Sequence, residues 1–327
     1  MSYDATAQKL PNIPEAEEHE VAQKTSSYHR SIEKLNKISI TTGFDPVKDV
    51  GWDHLGMEVD LSDERWIDSA QSNLTKTAWF QGLPKDKQIN LALDIIAQRF
   101  GVGMHFENIL QQGLLKFVNP LSVHEPEFRY IHHEVIEESR HTIMFKMFLD
   151  KINRDPGGIP SPWNKLVPWI VGLSTRFPEL FFFFILGGEE PIDCFQRSSI
   201  KNKESMHPLL YRVMQIHVIE ETRHIRFADS FLQQRLPHLS GIKRFMLSTR
   251  VPILLKIMID VMLVPSKDIR EAYGIPEDVM HEAYYGNPDF QKDLITCVSN
   301  TRRIVDKAGL LTPWSRKLWT HNKLMKA

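Results

Sequence analysis

Two five-residue stretches of this chain combine carboxylates with a histidine in a pattern that can bind metal ions. Residues 137–141 read Glu-Glu-Ser-Arg-His, and residues 220–224 read Glu-Glu-Thr-Arg-His. One shift of 83 positions relates three pairs of potential ligands: Glu107 and Glu190, Glu138 and Glu221, and His141 and His224. A glutamate and a histidine at positions i and i+3 of a helix share a face, so both can reach one ion. A bundle with one Glu from each of two helices and Glu-x-x-His from each of the other two binds a pair of iron or manganese ions.

The same residues could instead form ordinary ion pairs on solvated helix faces. Apolar residues surround both copies and argue against this alternative: Ile131, Val135, Ile136, Ile143, Met144 and Phe145 around the first, and Val213, Ile216, Val218, Ile219, Ile225 and Phe227 around the second. Acids and histidines within apolar helices are costly to bury unless they are paired or bound to metal. The sequence therefore favours a buried dimetal site over a network of ion pairs.

The two halves of the repeat differ one helical turn before the motif. Glu134 in the first copy corresponds to His217 in the second. His217 shares a helix face with Glu221 and His224, which follow it by four and seven residues. A helical histidine on its own is more often a hydrogen-bonded core residue, but this neighbourhood favours a ligand. The predicted metal ligands are Glu107, Glu138, His141, Glu190, His217, Glu221 and His224.

Four long helices are predicted to position these residues, at about 85–117, 126–152, 165–199 and 208–235. Prolines precede or open three of them, and Pro178 is expected to kink the third. Further helices are predicted at roughly 28–39, 240–263, 276–285 and 288–308, whereas period-2 strand patterns are almost absent. The predicted fold class is all-α, a four-helix core with additional packed helices.

The predicted domain organisation has three parts. Residues 1–26 are expected to be a flexible N-terminal arm, residues 27–310 a single helical domain, and residues 311–327 a C-terminal tail. The apolar stretches 164–188 and 251–264 contain charged residues or are too short to span a membrane, which takes about 20 apolar residues. No membrane partner is therefore predicted.

Composition excludes some functions and suggests a compartment. The formal net charge is −1 and the pI about 6.9, without a dense basic run, so nucleic-acid binding is not supported. Cys194 and Cys297 form no C-x-x-C motif and are predicted to form no disulfide, which is typical of a reducing cytoplasm. No signal peptide is recognised, and a cytoplasmic location is expected.

The ligand pattern Glu107, Glu138-x2-His141, Glu190, His217-x3-Glu221-x2-His224 resembles that of the p-aminobenzoate N-oxygenase (AurF-like) di-iron enzymes. The resemblance covers about residues 85–235 and implies a ferritin-like bundle with four carboxylate and three histidine ligands. It implies two iron ions, with O2 as co-substrate activated as a peroxo-diferric species. Oxygen would pass to an arylamine or an amino-acid-derived amine, giving a hydroxylamine, nitroso or nitro product. No flavin or iron–sulfur motif is recognised, so an external ferredoxin or reductase is expected, and a homodimer is compatible with the long helices.

Other functions of such a metal site stay open. A di-iron C-hydroxylase or a desaturase of a small or carrier-bound substrate shares the bundle, and a non-enzymatic ferroxidase is a weaker alternative. Manganese could replace iron, as in manganese catalase. A radical-forming ribonucleotide reductase subunit is disfavoured, because Phe145 stands where such a subunit has a tyrosine. Glu137 with Arg140, and Glu220 with Arg223, could support the ligand helices as i,i+3 ion pairs.

Overall fold

The computed structural model describes residues 27–69, 71–157 and 164–326, and these ranges contain helices, turns and loops but no β-strand. The predicted all-α fold class is confirmed. The predicted flexible arm, residues 1–26, lies outside the described residues. No helix within the described ranges has the length and apolar character that crossing a membrane requires.

Four long helices form the centre of the molecule: α4 (Lys85–Val118), α5 (Pro126–Ile152), α7 (Pro178–Ser199) and α8 (Pro208–Arg235). Helix α4 packs against α5, α5 against α8, α8 against α7 and α7 against α4, which closes a four-helix bundle. This arrangement is the ferritin-like architecture that the sequence predicted.

The remaining helices surround this bundle or link its parts. They are α1 (Ser27–Thr41), α2 (Arg65–Ser69), α3 (Ala78–Gln81), α6 (Val167–Arg176), α9 (Gly241–Leu263), α10 (Lys267–Tyr273), α11 (Glu277–Met280), α12 (Pro288–Cys297), α13 (Ser299–Lys307) and α14 (Pro313–His321). Short 3₁₀ turns lie at Asn73–Lys76, Ile200–Ser205 and Leu236–His238, and a π-helical turn at His281–Tyr285. Helix α9 covers α7, and α12 and α13 pack on the C-terminal half of α7.

Prolines and caps determine where the bundle helices begin and end. Pro126 and Pro208 occupy the first turns of α5 and α8, where the missing N–H costs no hydrogen bond. Asn153 ends α5 in the left-handed conformation, with φ of 48°. The helix predicted over 165–199 is broken rather than kinked: Phe177 has φ −149° and ψ 68°, because a residue before proline is disfavoured in the helical region.

Two glycines allow α4 and α7 to approach each other closely. A Cβ atom at Gly113 would lie 2.1 Å from the ring of Phe181, and one at Gly188 would lie 2.2 Å from the ring of Phe106. Each phenylalanine therefore fills the space above a glycine of the opposite helix. These contacts determine how α7 is rotated about its axis relative to α4.

The C-terminal residues differ from the predicted tail. Residues 313–321 form helix α14, which packs on α9 and buries Trp319 completely. Leu324 beyond it is also fully buried. An indole that loses all contact with water stabilises this attachment, so the segment belongs to the folded unit.

The two cysteines also differ from the prediction. Cys194 of α7 and Cys297 of α12 form a disulfide across 103 residues of sequence, with Cα atoms 5.3 Å apart. The prediction of unpaired thiols is therefore wrong. Sequence spacing could not reveal the pair, because the residues meet only when α12 packs on α7. In addition, Ile136, Ile143 and Ile219 near the repeated motifs are substantially exposed, so only part of the apolar surroundings contributes to burial.

Candidate metal centre

The four bundle helices bring their carboxylates and histidines together in two adjoining groups. Within each group, one ligand atom per residue lies within 4.8 Å of every other: Glu107, His141 and His217 form the first group, and Glu138, Glu189, Glu221 and His224 the second. Every member is buried. Carboxylate and imidazole are the donors that suit iron and manganese, so the donor set fits a pair of such ions.

The first group joins helices α4, α5 and α8. His217 Nε2 lies 3.6 Å from Glu107 Oε1 and 3.2 Å from Glu221 Oε1. The rings of His141 and His217 are 4.7 Å apart between their centroids. Glu107 is oriented by the hydroxyl of Thr142, which donates to its Oε2 at 3.0 Å.

The second group joins α5, α7 and α8, and its carboxylates Glu138 and Glu221 contact histidines of the first. His224 Nδ1 lies 2.8 Å from Glu138 Oε1 and 3.6 Å from Glu221 Oε2. His141 Nδ1 lies 3.5 Å from both Glu138 Oε2 and Glu221 Oε1. Glu138 and Glu221 therefore stand between the histidines of the two groups.

Several oxygen and nitrogen atoms that could bind a metal make no hydrogen bond in this cluster, although they are completely buried. They include Nδ1 of His141 and His224, both carboxylate oxygens of Glu138 and Glu189, and Oε2 of Glu221. Buried polar atoms without partners are rare and costly. Because these atoms converge on one another, bound cations would satisfy all of them, and the residues fit a metal pair.

Each histidine directs one nitrogen to the cluster and donates from the other to a side-chain oxygen. His141 Nε2 donates to Glu220 at 2.8 Å, and His224 Nε2 donates to Glu137 at 2.8 Å. His217 Nδ1 donates to the amide oxygen of Gln196 at 2.8 Å. Such outer contacts hold the ring and select the tautomer that leaves the other nitrogen available to a metal.

Each repeated motif supplies the carboxylate that holds the histidine of the other motif. Glu137 of the first motif holds the histidine of the second, and Glu220 of the second holds the histidine of the first. Arg223 joins them, with contacts of 2.9 Å to Glu137 and 3.4 Å to Glu220. Glu137 thus pairs with Arg223 rather than with Arg140 as predicted.

Glu190, which the sequence predicts as a ligand, lies in neither of the two groups. Its carboxylate accepts hydrogen bonds from the backbone N–H groups of Asn300 and Thr301, at 2.8 Å and 3.0 Å, and from the Thr301 hydroxyl. It therefore caps the start of α13. The neighbouring Glu189 carries the carboxylate that faces the second group.

The difference between Glu189 and Glu190 has a simple geometric reason. Adjacent residues of an α-helix point about 100° apart, so only one of the two can face the bundle interior. The equal spacing of the repeats selected Glu190, but the rotation of α7 is determined by packing such as that of Phe106 on Gly188. The adjacent pair Glu189-Glu190 was the signal in the sequence that either residue could serve.

Burial and neighbouring charges shift the pKa values of the clustered carboxylates in opposite directions. Burial, together with repulsion from Glu138, raises the pKa of Glu107 well above its ordinary value. Burial and repulsion from Glu221 likewise raise the pKa of Glu189. Burial alone would raise the pKa of Glu138, but attraction to His224 outweighs it and the pKa is lowered. The cluster therefore holds carboxylates that lack sufficient positive charge.

The three histidines differ in how readily they hold a proton. Burial disfavours the charged ring of His141, but its contacts with the carboxylates of Glu138 and Glu220 raise its pKa well above the ordinary value. The pKa of His224 is raised in the same way, against burial, by nearby carboxylates. Burial lowers the pKa of His217 to about 4. A cation entering the cluster would therefore displace protons from His141 and His224 but not from His217.

Comparison with known proteins places the chain in a family with this kind of centre. The family model described as "P-aminobenzoate N-oxygenase AurF" matches residues 25–309, which is most of the chain. The chain belongs to the AurF family. That family is one of di-iron enzymes, in agreement with the resemblance seen in the ligand pattern.

Relatives of this AurF-family chain occur in mycobacteria. The chain is 33% identical over 294 residues to the uncharacterized protein Rv0885 of Mycobacterium tuberculosis strain H37Rv, an alignment that covers 90% of this chain and 86% of the relative. The uncharacterized protein Mb0909 of Mycobacterium bovis matches to the same extent. Their names state no substrate, so they do not refine the function beyond the family.

A cavity in this AurF-family chain reaches the cluster from one side. Residues of both groups are part of its lining: Glu107, Glu138, Glu189, His217 and Glu221. Its walls are mostly apolar and include Ile96, Phe100, Phe106, Phe145, Ile192, Phe195, Met214, Met262 and Leu263. Ser69, Gln71, Arg99 and Ser199 add polar groups. Phe145, at the position where a radical subunit would have tyrosine, is part of this wall.

Proposed function

We propose that this AurF-family chain is a non-haem di-iron oxygenase that transfers oxygen from O2 to the nitrogen of an amine. The proposal depends on one observation above all: two groups of buried carboxylates and histidines adjoin each other and line a mostly apolar cavity. An ion-pair network alone would not explain so many buried donor atoms without hydrogen bonds.

The ligand roles follow from the two groups. We assign Glu107, His141 and His217 to one iron, and Glu189 and His224 to the other. Glu138 and Glu221 stand between the histidines of both groups and are assigned to both ions. Glu137, Glu220 and Gln196 would orient the histidine rings from outside the metal shell.

The iron pair would supply the electrons that break the O–O bond of O2. Conversion of an amine to a hydroxylamine inserts one oxygen atom and turns the other into water, which consumes two electrons and two protons in addition to the amine and O2. No flavin or iron–sulfur motif is recognised in the sequence, so we propose a separate ferredoxin or reductase as electron donor. Further rounds would give nitroso and nitro products.

The cavity supports an amine with an aromatic or other apolar body. Its walls carry the rings of Phe100, Phe106, Phe145 and Phe195, which pack well against a flat apolar group. The amine end would then lie next to the carboxylates and His217. We propose an arylamine or an amino-acid-derived amine as substrate.

A single-turnover experiment tests this function. The purified chain is loaded anaerobically with Fe²⁺, its metal content is measured, and it is mixed with ¹⁸O2 in the presence of p-aminobenzoate or another arylamine. We expect two irons per chain and a product that carries ¹⁸O on nitrogen, detected by mass spectrometry. The variant Glu221→Ala is the control, because loss of a carboxylate shared by both groups should abolish iron binding and product together.

Two results would contradict the proposal. A chain with two irons that oxidises carbon but no amine would indicate a hydroxylase or desaturase. A chain that binds no iron would indicate another metal. A chain that oxidises bound iron without any organic product would indicate a ferroxidase.

A further inference from the structure

Glu134 is a buried carboxylate for which the described part of the chain offers no hydrogen-bond partner. Its residue is 1% exposed, and neither Oε1 nor Oε2 makes a hydrogen bond. It also makes no ion pair of 4.0 Å or less with any Lys, Arg or His in that part of the chain. A charged carboxylate in such surroundings destabilises the folded state unless a cation or a proton compensates its charge.

The position of Glu134 on α5 directs it to the metal centre. It precedes Glu138 by four residues and His141 by seven, so all three lie on one helix face. Burial raises the pKa of Glu134 to about 8, an effect that His224 opposes and that Glu138 and Glu221 reinforce. His224, Glu138 and Glu221 are all members of the second metal-binding group.

Among the described residues, the side chains beside Glu134 on α5 give its carboxylate no hydrogen-bond donor. The Tyr130 hydroxyl, one turn earlier on α5, is also buried without a hydrogen bond, so it does not donate to the carboxylate. Glu137 and Glu138 on the same helix are acids, and Glu137 already engages His224 and Arg223. A bound cation is the compensation that the surroundings favour.

The internal repeat indicates which ion Glu134 would serve. Under the shift of 83 positions, Glu134 corresponds to His217, whose Nε2 faces the first group. Both residues precede the motif glutamate of their own helix by four positions, so we expect Glu134 to stand in the same relation to the second group. The first group would then have an imidazole at this place and the second a carboxylate.

We propose that Glu134 is a further metal ligand, which completes the shell of the ion bound by Glu138, Glu189, Glu221 and His224. This inference rests on the proposed metal centre and adds to it an asymmetry. One ion would have two histidines, and the other would have one histidine and an additional carboxylate. A shell richer in carboxylates favours harder ions such as Mn²⁺, so the two sites should differ in metal preference.

Metal titration tests this role without relying on turnover. The full chain is stripped with a chelator and titrated anaerobically with Mn²⁺, and free Mn²⁺ is followed by electron paramagnetic resonance. We expect the wild type to bind two ions. Glu134→Gln, which keeps the size and removes the charge, should keep the first ion and weaken the second by about tenfold or more.

Two matched variants distinguish a ligand from a structural role. Glu134→His introduces the residue that the other half of the repeat has, and it should restore the second ion. Glu179→Gln is the control, because Glu179 is also fully buried without hydrogen bonds but lies outside both groups, near Arg235. It should bind two ions with wild-type affinity. Thermal melting shows whether each variant is folded.

The possible failures can be told apart. Two ions bound to Glu134→Gln with wild-type affinity would overturn the role of Glu134 and leave the dimetal centre in place. Weak binding by both Glu134→Gln and Glu134→His would also overturn it, if both fold. A wild type that binds fewer than two ions would overturn the proposed centre and this inference together.

Discussion

At the scale of single residues, the function of this chain depends on which atoms of its acids and histidines are already engaged. Glu189 and Glu190 are neighbours with opposite situations: Glu190 accepts hydrogen bonds from Asn300 and Thr301, while both oxygens of Glu189 lack partners. Burial raises the pKa of Glu190 to about 7, although the hydrogen bonds from Thr301 and Asn300 oppose the shift. Glu190 thus stabilises the attachment of α13, whereas Glu189 is available to a cation.

This difference predicts opposite results for two conservative substitutions. We expect Glu189→Gln to lower the iron content by about one ion per chain with little change in melting temperature, because a ligand is lost while packing is kept. Glu190→Gln should keep both ions and lower the melting temperature, since it weakens the contact with α13 by about 1–3 kcal/mol. Metal analysis and thermal melting of both variants are the measurements. The reverse assignment would follow if Glu190→Gln lost iron and Glu189→Gln did not.

A second prediction concerns the carboxylates that cross between the motifs. Glu220→Gln should weaken metal binding by about 10- to 100-fold, because His141 loses a charged acceptor at 2.8 Å that holds its ring. Competition with a chelator of known affinity measures the change. Glu33→Gln removes a carboxylate from a partly exposed ion pair with Arg129, so it should have no effect. Equal metal affinity of Glu220→Gln and the wild type would contradict a role of Glu220 in holding His141.

At the scale of elements, helix α7 connects the metal centre to the C-terminal helices. It carries Glu189 towards the bundle interior, and within five residues it also carries Glu190 and Cys194, which attach α13 and α12. The disulfide and the buried carboxylate thus attach two neighbouring helices, α12 and α13, to α7. The attachment of α12 and α13 supports the side of α7 that faces away from the cluster.

The disulfide leads to a prediction about stability. Cys194→Ser should lower the free energy of unfolding by about 2–5 kcal/mol, because the bond closes a loop across 103 residues and restricts the unfolded chain. Urea denaturation measures the effect, and the wild type under reducing conditions should lose the same amount. Ser198→Ala, at an exposed position of α7, is a neutral control. An unchanged midpoint in both reduced and substituted protein would show that the bond does not contribute.

At the scale of the whole molecule, a nearly neutral protein contains a strongly acidic interior. The formal net charge of the chain is −1, yet seven buried glutamates belong to the two groups or lie beside them. They are Glu107, Glu134, Glu137, Glu138, Glu189, Glu220 and Glu221. Arg223 is the guanidinium in contact with this set, at Glu137 and Glu220. Such an excess of charge is stable in the interior only with protons or metal cations.

This balance predicts that metal binding depends on pH in a definite direction. The raised pKa values of His141 and His224 mean that both rings hold protons in the folded chain without metal, and a metal must displace those protons. Affinity should therefore fall as the pH is lowered, and metal addition at neutral pH should release protons. A pH indicator in weakly buffered solution measures the release. His217, whose pKa is lowered to about 4, should contribute no proton, so His217→Gln should leave the number released per bound ion unchanged. Metal binding without proton release would contradict this balance.

The sequence by itself determined the helical fold and most of the metal cluster. Prolines at helix starts and the 3.6-residue period predicted α5 and α8 with their observed bounds, and the repeated motif identified six of the seven residues that the structure groups together. These features are local, since residues three or four apart on one helix must share a face. Metal binding by the group stays a prediction that the experiments above test.

Only the tertiary structure decided which surfaces of the helices meet. It placed Glu189 rather than Glu190 in the second group, because the rotation of α7 depends on rings that fill the space above Gly113 and Gly188. It also paired Cys194 with Cys297. It directed Glu137 and Glu220 to the histidines of the opposite motif. Each of these contacts joins residues far apart in the chain, and no spacing within a single helix records how another helix packs against it.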